Sequence, residues 1–222
     1  MMEDNSAKSD AIPPESPPGF LRRWLDRLKP DPASSDPRML GKWGGITLSA
    51  YLAIALIVGM YWSKTPEHFD VRENATRYAA ATNQDVVTGT TTVAALQEVI
   101  RTLLEKPGGY LHNDLFPPGV WLDNMPNWEY GVLVQSRDLA RALREVLSRS
   151  QSQSKEDVDL TLAEPRINFQ SKSWILPASE SEYRDALRFL EAYRSRLAVT
   201  GQNSAQFYAR ADNLSQWLGM IE

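Results

Sequence analysis

The sequence contains no cysteine. That excludes disulfides, thiolate metal sites and cysteine nucleophiles, and it fits either side of a bacterial membrane. Histidine is nearly as scarce, with only His68 and His112. They are far apart and no HExxH spacing occurs, so no zinc site and no metal is expected. The chain has no glycine-rich phosphate loop of the Walker or dinucleotide kind and no GxSxG elbow, and no cofactor is expected. An excess of basic charge is also missing: 24 Lys and Arg stand against 28 Asp and Glu. From position 63 onward there are 17 basic and 21 acidic residues. A mildly acidic domain is a poor match for a phosphate backbone, so no nucleic acid partner is expected.

The most informative absence is local. No charge occurs between Lys42 and Lys64. As a helix this stretch covers roughly 30 Å, the thickness of a bilayer's hydrocarbon core. Trp43 and Trp62 mark its ends, with Tyr61 beside the second, where amphipathic rings favour the interface. A buried core helix of this length without charge is uncommon. A cleaved signal is a poor fit, because a mostly polar tail of over forty residues comes first and the exit Gly59-Met60-Tyr61-Trp62 is a poor cleavage site. The expectation is one retained transmembrane helix over 43–62, with the lipid bilayer as its first partner.

Lys and Arg near the ends set orientation. Arg23, Arg27, Lys29, Arg38 and Lys42 precede the span; Lys64, Arg72 and Arg77 follow it. Residues 20–29 read as a short amphipathic helix, with Leu21, Trp24, Leu25 and Leu28 on one face and Arg22, Arg23, Arg27 and Lys29 around it. Arg22, Arg23, Trp24, Arg27 and Lys29 would rest on an anionic leaflet; a solvated basic tail is the plainer account. The remainder of 1–42 is polar and proline-rich and reads as disordered. The tail is expected in the cytoplasm and the domain in the periplasm, on a bacterial inner membrane. Within the span, Gly45, Ser49 and Ala53 recur every four residues, a stripe that permits close helix approach and homo-oligomers, although small residues are common in such helices.

Beyond the span the pattern is mainly α. Apolar periodicity and breakers predict helices over 65–81, opened by Thr65-Pro66, over 92–106, over 128–149, from a Ser179/Glu182 capping box to Thr200-Gly201, and from Ser204 to the end. The run 148–154 is expected to leave the third of these as a polar loop. A short β-hairpin pairing 167–169 with 174–176 is the one extended element considered. Amphipathic helices of this length argue for a helical bundle over 63–222. The last helix has Phe207, Ala211, Leu214, Leu218 and Ile221 on one side with no stop signal before Glu222, so the bundle is expected to be incomplete there.

Unusual residues concentrate in 108–131, a constrained loop rich in Pro and Gly. Three readings compete. The aromatics and prolines seal the bundle while Asp and Asn cap the next helix. Alternatively Tyr110, His112, Trp121, Trp128 and Tyr130 form a surface that binds glycan or peptide. Thirdly, Asp114, Asp123 and Glu129 supply the paired carboxylates of a wall-glycan hydrolase, which requires two of them to face one cleft. An interaction or scaffold module of the cell envelope, with a protein or peptidoglycan partner, is favoured over an enzyme.

The loop 108–131, the run 148–154, the string Ser173-Trp174-Ile175-Leu176-Pro177, and Ala205-Gln206-Phe207-Tyr208-Ala209-Arg210-Ala211-Asp212-Asn213-Leu214 resemble the proteobacterial inner-membrane proteins grouped as domain-of-unknown-function family 2333. The likeness covers nearly all of the chain after the span. It implies a single N-terminal anchor, a helical domain and a chain continuing past Glu222. It implies no reaction, cofactor or site residue.

Overall fold

A computed structural model describes residues 37–150 and 155–219. Two compact units divide at Tyr51 and Leu52. The described part of the first is helical throughout and is the start of α1 (Pro37–Trp62). Gly45 and Ser49 are exposed there. The basic segment with Arg22, Arg23, Trp24, Arg27 and Lys29 lies outside the described residues.

The second unit holds the rest of α1 followed by α2 (Val71–Ala81), α3 (Thr90–Glu105), α4 (Asn124–Ala142), α5 (Val158–Ile167), α6 (Ser179–Leu197) and α7 (Ala211–Leu218). The stretch Gly41–Trp62 is long and apolar enough to cross a membrane. Ala53 is exposed, while Ala55 and Gly59, one turn apart, are buried. Among the described residues there is no strand.

Local chemistry explains where the helices begin. Asp70 accepts the amides of Arg72 and Glu73 at 2.9 and 2.8 Å. This cap satisfies orphan amides of the first turn and starts α2 at Val71 rather than at Thr65-Pro66. Gly89 opens α3 with φ 93°. A Cβ there would lie 2.5 Å from Phe207. Pro107-Gly108-Gly109 ends α3, both glycines having positive φ.

Helix α4 starts four residues before the expected Trp128 and tolerates Pro126 in its first turn. It continues as a π-helical turn, Leu143–Leu147, closed by the Ser148 amide on the Leu143 carbonyl at 3.0 Å. The expected hairpin is not formed. Ile167 is instead the last residue of α5, fully buried, and 174–176 is irregular. Helix α5 is capped by Asp157. Arg137 of α4 covers its far end by donating to the carbonyls of Ile167 and Phe169 at 3.0 and 2.6 Å. The Ser179/Glu182 capping box is not formed either. The Ser179 hydroxyl lies 2.6 Å from the Gln170 carbonyl, and Ala178 is the N-cap.

Residues 205–210 are irregular rather than helical. The Ala205 amide donates to Arg196, the Tyr208 amide donates to Leu147 at 2.7 Å, and the Tyr193 hydroxyl donates to Gln206 at 2.7 Å. This strap seats Phe207 on the core. Helix α7 follows, its Trp217 packed on the core while Leu214 and Leu218 stay exposed.

The core lies where α3 packs on α2, α4 and α6, and α5 packs on α4 and α6. Val93, Ile100, Leu103, Leu133, Leu143, Leu160 and Leu190 are essentially fully buried there, each worth roughly 1.5–3 kcal/mol of burial. One polar centre interrupts it. The buried guanidinium of Arg194 donates to Gln97 at 3.1 Å, the Tyr78 carbonyl at 3.1 Å and Glu191 at 2.8 Å. It also stands over the Tyr78 ring, so α2, α3 and α6 share one charge.

Candidate functional site

Two connections, 106–123 and 168–178, come together at the end of α1, and both are built from the inside outward. At the base lies a buried ion pair between Lys106, at the end of α3, and Glu129, in the second turn of α4. The Glu129 carboxylate also accepts the Leu111 amide at 3.0 Å and the His112 amide at 2.7 Å. Lys106 donates to the Gly109 carbonyl as well. Burial pushes the Glu129 carboxyl up, while Lys106 and the two amides oppose that shift. Glu129 therefore ties the start of the loop to α4.

The next shell is aromatic. Tyr110 is buried, donates to the Ser171 carbonyl at 3.0 Å and meets Tyr183 edge to face at 5.5 Å. Burial, with Tyr183 and Glu129 nearby, pushes its hydroxyl far above the usual range. His112 stacks on Tyr130 at 5.3 Å, and its Nδ1 lies 3.1 Å from the Pro126 carbonyl, which requires the proton on Nδ1. Burial holds its pKa below the ordinary value. Asn113 links the two connections by donating to the Ser173 carbonyl at 2.8 Å and to Glu180 at 2.9 Å.

The outer shell is apolar. Leu115, Phe116, Val120 and Trp121 are exposed in the first connection, Phe116 at 72%. Trp174, Ile175 and Leu176 are exposed in the second, Leu176 at 93%. Residues 115–122 and 173–178 carry no charge. Pro118 and Leu122 sit 3.4 and 3.8 Å from where a Cβ on Gly59 would be. The Trp62 ring lies against Gly108, whose positive φ and missing Cβ admit it.

The three candidate carboxylates occupy three different settings. Glu129 is sealed from solvent in its ion pair. Asp123 is exposed at the start of α4 without a side-chain cap bond. Asp114 is half-buried against Gly119 and lines a pocket of about 220 Å3 with Trp62, Phe116 and Trp174. Neither Asp123 nor Glu129 lines that pocket. Burial, then Glu129 and Glu180, push the Asp114 carboxyl up. Among the described residues no group of three or more His, Asp and Glu is placed to hold a metal ion.

The candidate aromatics separate too. Trp121 is at the exposed tip and Tyr130 covers His112. Trp128 faces away from both, into an apolar groove between α3 and α4. That groove measures about 550 Å3 and is lined by Leu96, Val99, Trp128, Val132, Leu139 and Trp217. A second pocket of about 300 Å3 shares Val99, Trp128 and Val132 with it and is closed by 65–69. Sequence reasoning found Trp128 but not the groove, nor Lys106 and Asn113. The uncharged string at 174–176, expected as half of a hairpin, is an irregular loop tip.

A family described as "Uncharacterized protein conserved in bacteria (DUF2333)" matches residues 37–222. No curated protein and no solved structure matches the chain.

Proposed function

We propose, from the premise that the chain belongs to the bacterial family DUF2333, that it is a membrane-anchored interaction module of the cell envelope. In this reading Gly41–Trp62 crosses the inner membrane, residues before it are cytoplasmic, and the helical domain is periplasmic. The observation that carries the interaction role is the apolar groove between α3 and α4. It joins two indoles, Trp128 and Trp217, with aliphatic walls, and such concave apolar surfaces are where partner side chains are desolvated. The lining favours an apolar protein segment over peptidoglycan, whose sugars need polar partners. The hydrolase alternative draws no support from the carboxylates, because Glu129 is already consumed by Lys106 and two amides.

A photo-crosslinking residue at Gln135, in the groove, tests this in living cells against one at Asp185, a half-buried position of α6 outside the groove. The expected result is an adduct with one envelope protein from Gln135 and not from Asp185, lost when Gly131→Trp fills the groove. Identical adducts from both positions, or none, sink the interaction role. A reporter active only outside the cytoplasm should work after Glu222 and fail near Asp10. The reverse pattern removes the topology.

A further inference from the structure

The exposed apolar tips described above have an address. Gly59 lies one turn inside the Trp62 end of the span, and Pro118 and Leu122 abut it there. The other buried position of the span, Ala55, lies about 10 Å inside that end. The first connection therefore reaches below the level of Trp62, alongside the helix rather than above it. The second connection is pinned to the first by Asn113 and shares the Trp62 pocket through Trp174. A helix in hydrocarbon places whatever packs on its last turns at the same depth.

We infer that the tips of 115–122 and 173–177 enter the bilayer's outer interface as a paired wedge, with phospholipid as the occupant of this patch. This rests on the reading of Gly41–Trp62 as a membrane span. The chemistry fits the location. Both tips are uncharged, both carry indoles that favour the headgroup boundary, and both present aliphatic side chains that would otherwise face water. Of the acidic groups that flank the first tip, Asp114 is drawn back against Gly119, and Asp123 follows the tip at the start of α4. Contiguous apolar exposure of this kind marks a docking surface, and continuity with the span identifies the partner as lipid.

The absence of cysteine makes the test direct. Single cysteines at Phe116, Leu176, Ile54 and Gln202 are spin-labelled in the full-length chain. The chain is reconstituted alone in vesicles of phosphatidylethanolamine and phosphatidylglycerol. Ile54 reports the span. Gln202 lies past the far end of α6, whose 19 residues extend about 28 Å from the second tip. Leu176 is almost wholly exposed, so its replacement leaves the fold intact. Labels at Phe116 and Leu176 should favour collision with oxygen over a water-soluble nickel chelate several-fold more than Gln202 does, approaching Ile54. If both match Gln202 while Ile54 is lipid-facing, the wedge is overturned and the anchor stands. If Ile54 also meets the chelate, the anchor fails and the wedge with it. Spin–spin broadening at Phe116 or Leu176, with neither collider admitted, would show a second copy on the patch and overturn lipid as its occupant.

Discussion

The Lys106–Glu129 pair invites a double-mutant cycle, because removing one partner and removing both have different consequences. The Lys106 and Glu129 side chains are 1% and 0% exposed. Glu129→Gln keeps a carbonyl oxygen for the Leu111 and His112 amides but strands an ammonium whose remaining acceptor is the Gly109 carbonyl. Breaking a buried pair this way costs about 3–5 kcal/mol, a large share of a typical stability of about 5–15 kcal/mol. Lys106→Met should cost less. Its removal takes away a charge that opposes the upward shift of Glu129, so the carboxyl protonates and stays bonded. The double variant holds no buried charge and should recover to within about 1–2 kcal/mol of the parent. Urea unfolding of the full-length chain in detergent micelles, followed by tryptophan fluorescence, gives the coupling. Amide exchange at Leu111 and His112 gives the local view, where a loss of about 3 kcal/mol accelerates exchange by roughly a hundredfold. A Glu129→Gln variant within about 1 kcal/mol of the parent would refute the reasoning. So would a double variant whose loss equals the sum of the singles.

His112 should confer acid sensitivity. Its folded pKa lies below the ordinary value of about 6.5, so the unfolded chain binds the proton more readily. Its contribution is fully present above pH about 6.5 and is lost as pH falls through the folded value. His112→Asn, whose amide can still donate to Pro126, should flatten that part of the stability–pH curve; the raised carboxyls of Asp114 and Glu129 act in the opposite sense and cancel in the comparison. An unchanged slope removes the assignment. Leu190→Ala, at a fully buried site on α6, which packs on α3 and α5, should cost about 2–5 kcal/mol in urea unfolding. Gly89→Ala should cost at least about 1 kcal/mol, because it combines positive φ with contact to Phe207, and amide exchange of Tyr208 should rise with it.

Helix periodicity located α3, α4 and α6 because each carries a sustained apolar face over at least 16 residues. Helix α5 is not legible in the sequence, for a physical reason. It has ten residues, Pro165 reads as a breaker, and its buried Leu160, Ala163 and Ile167 gain their meaning only against α4 and α6. The hairpin expectation took Ile167 from the end of that helix and the apolar string 174–176 from a loop tip. Apolar residues in short runs do not say whether they face a core or a lipid surface. The strap at 205–210 carries a helical pattern in the sequence because Phe207 falls in register with Ala211 and Leu214. Its bonds to Arg196, Tyr193 and Leu147 are all long-range or cross-element, and periodicity cannot register them. In the candidate site, Glu129 looked like chemistry from sequence, since nothing local announces that Lys106, 23 positions earlier, folds onto it.

Eight residues separate Trp62 from Val71. As a free tether they would let the domain wander by about 15 Å from its attachment. The structure removes that freedom. Trp62 is seated on Gly108, and 65–69 form the wall of the pocket that joins the α3–α4 groove. With α1 in a bilayer, the groove would stay within a helix length of the surface. A partner held in the same bilayer would then be met by diffusion in two dimensions. Confining both to one membrane raises effective concentration without a new contact, so for such a partner a dissociation constant measured on the detached domain would understate occupancy of the groove.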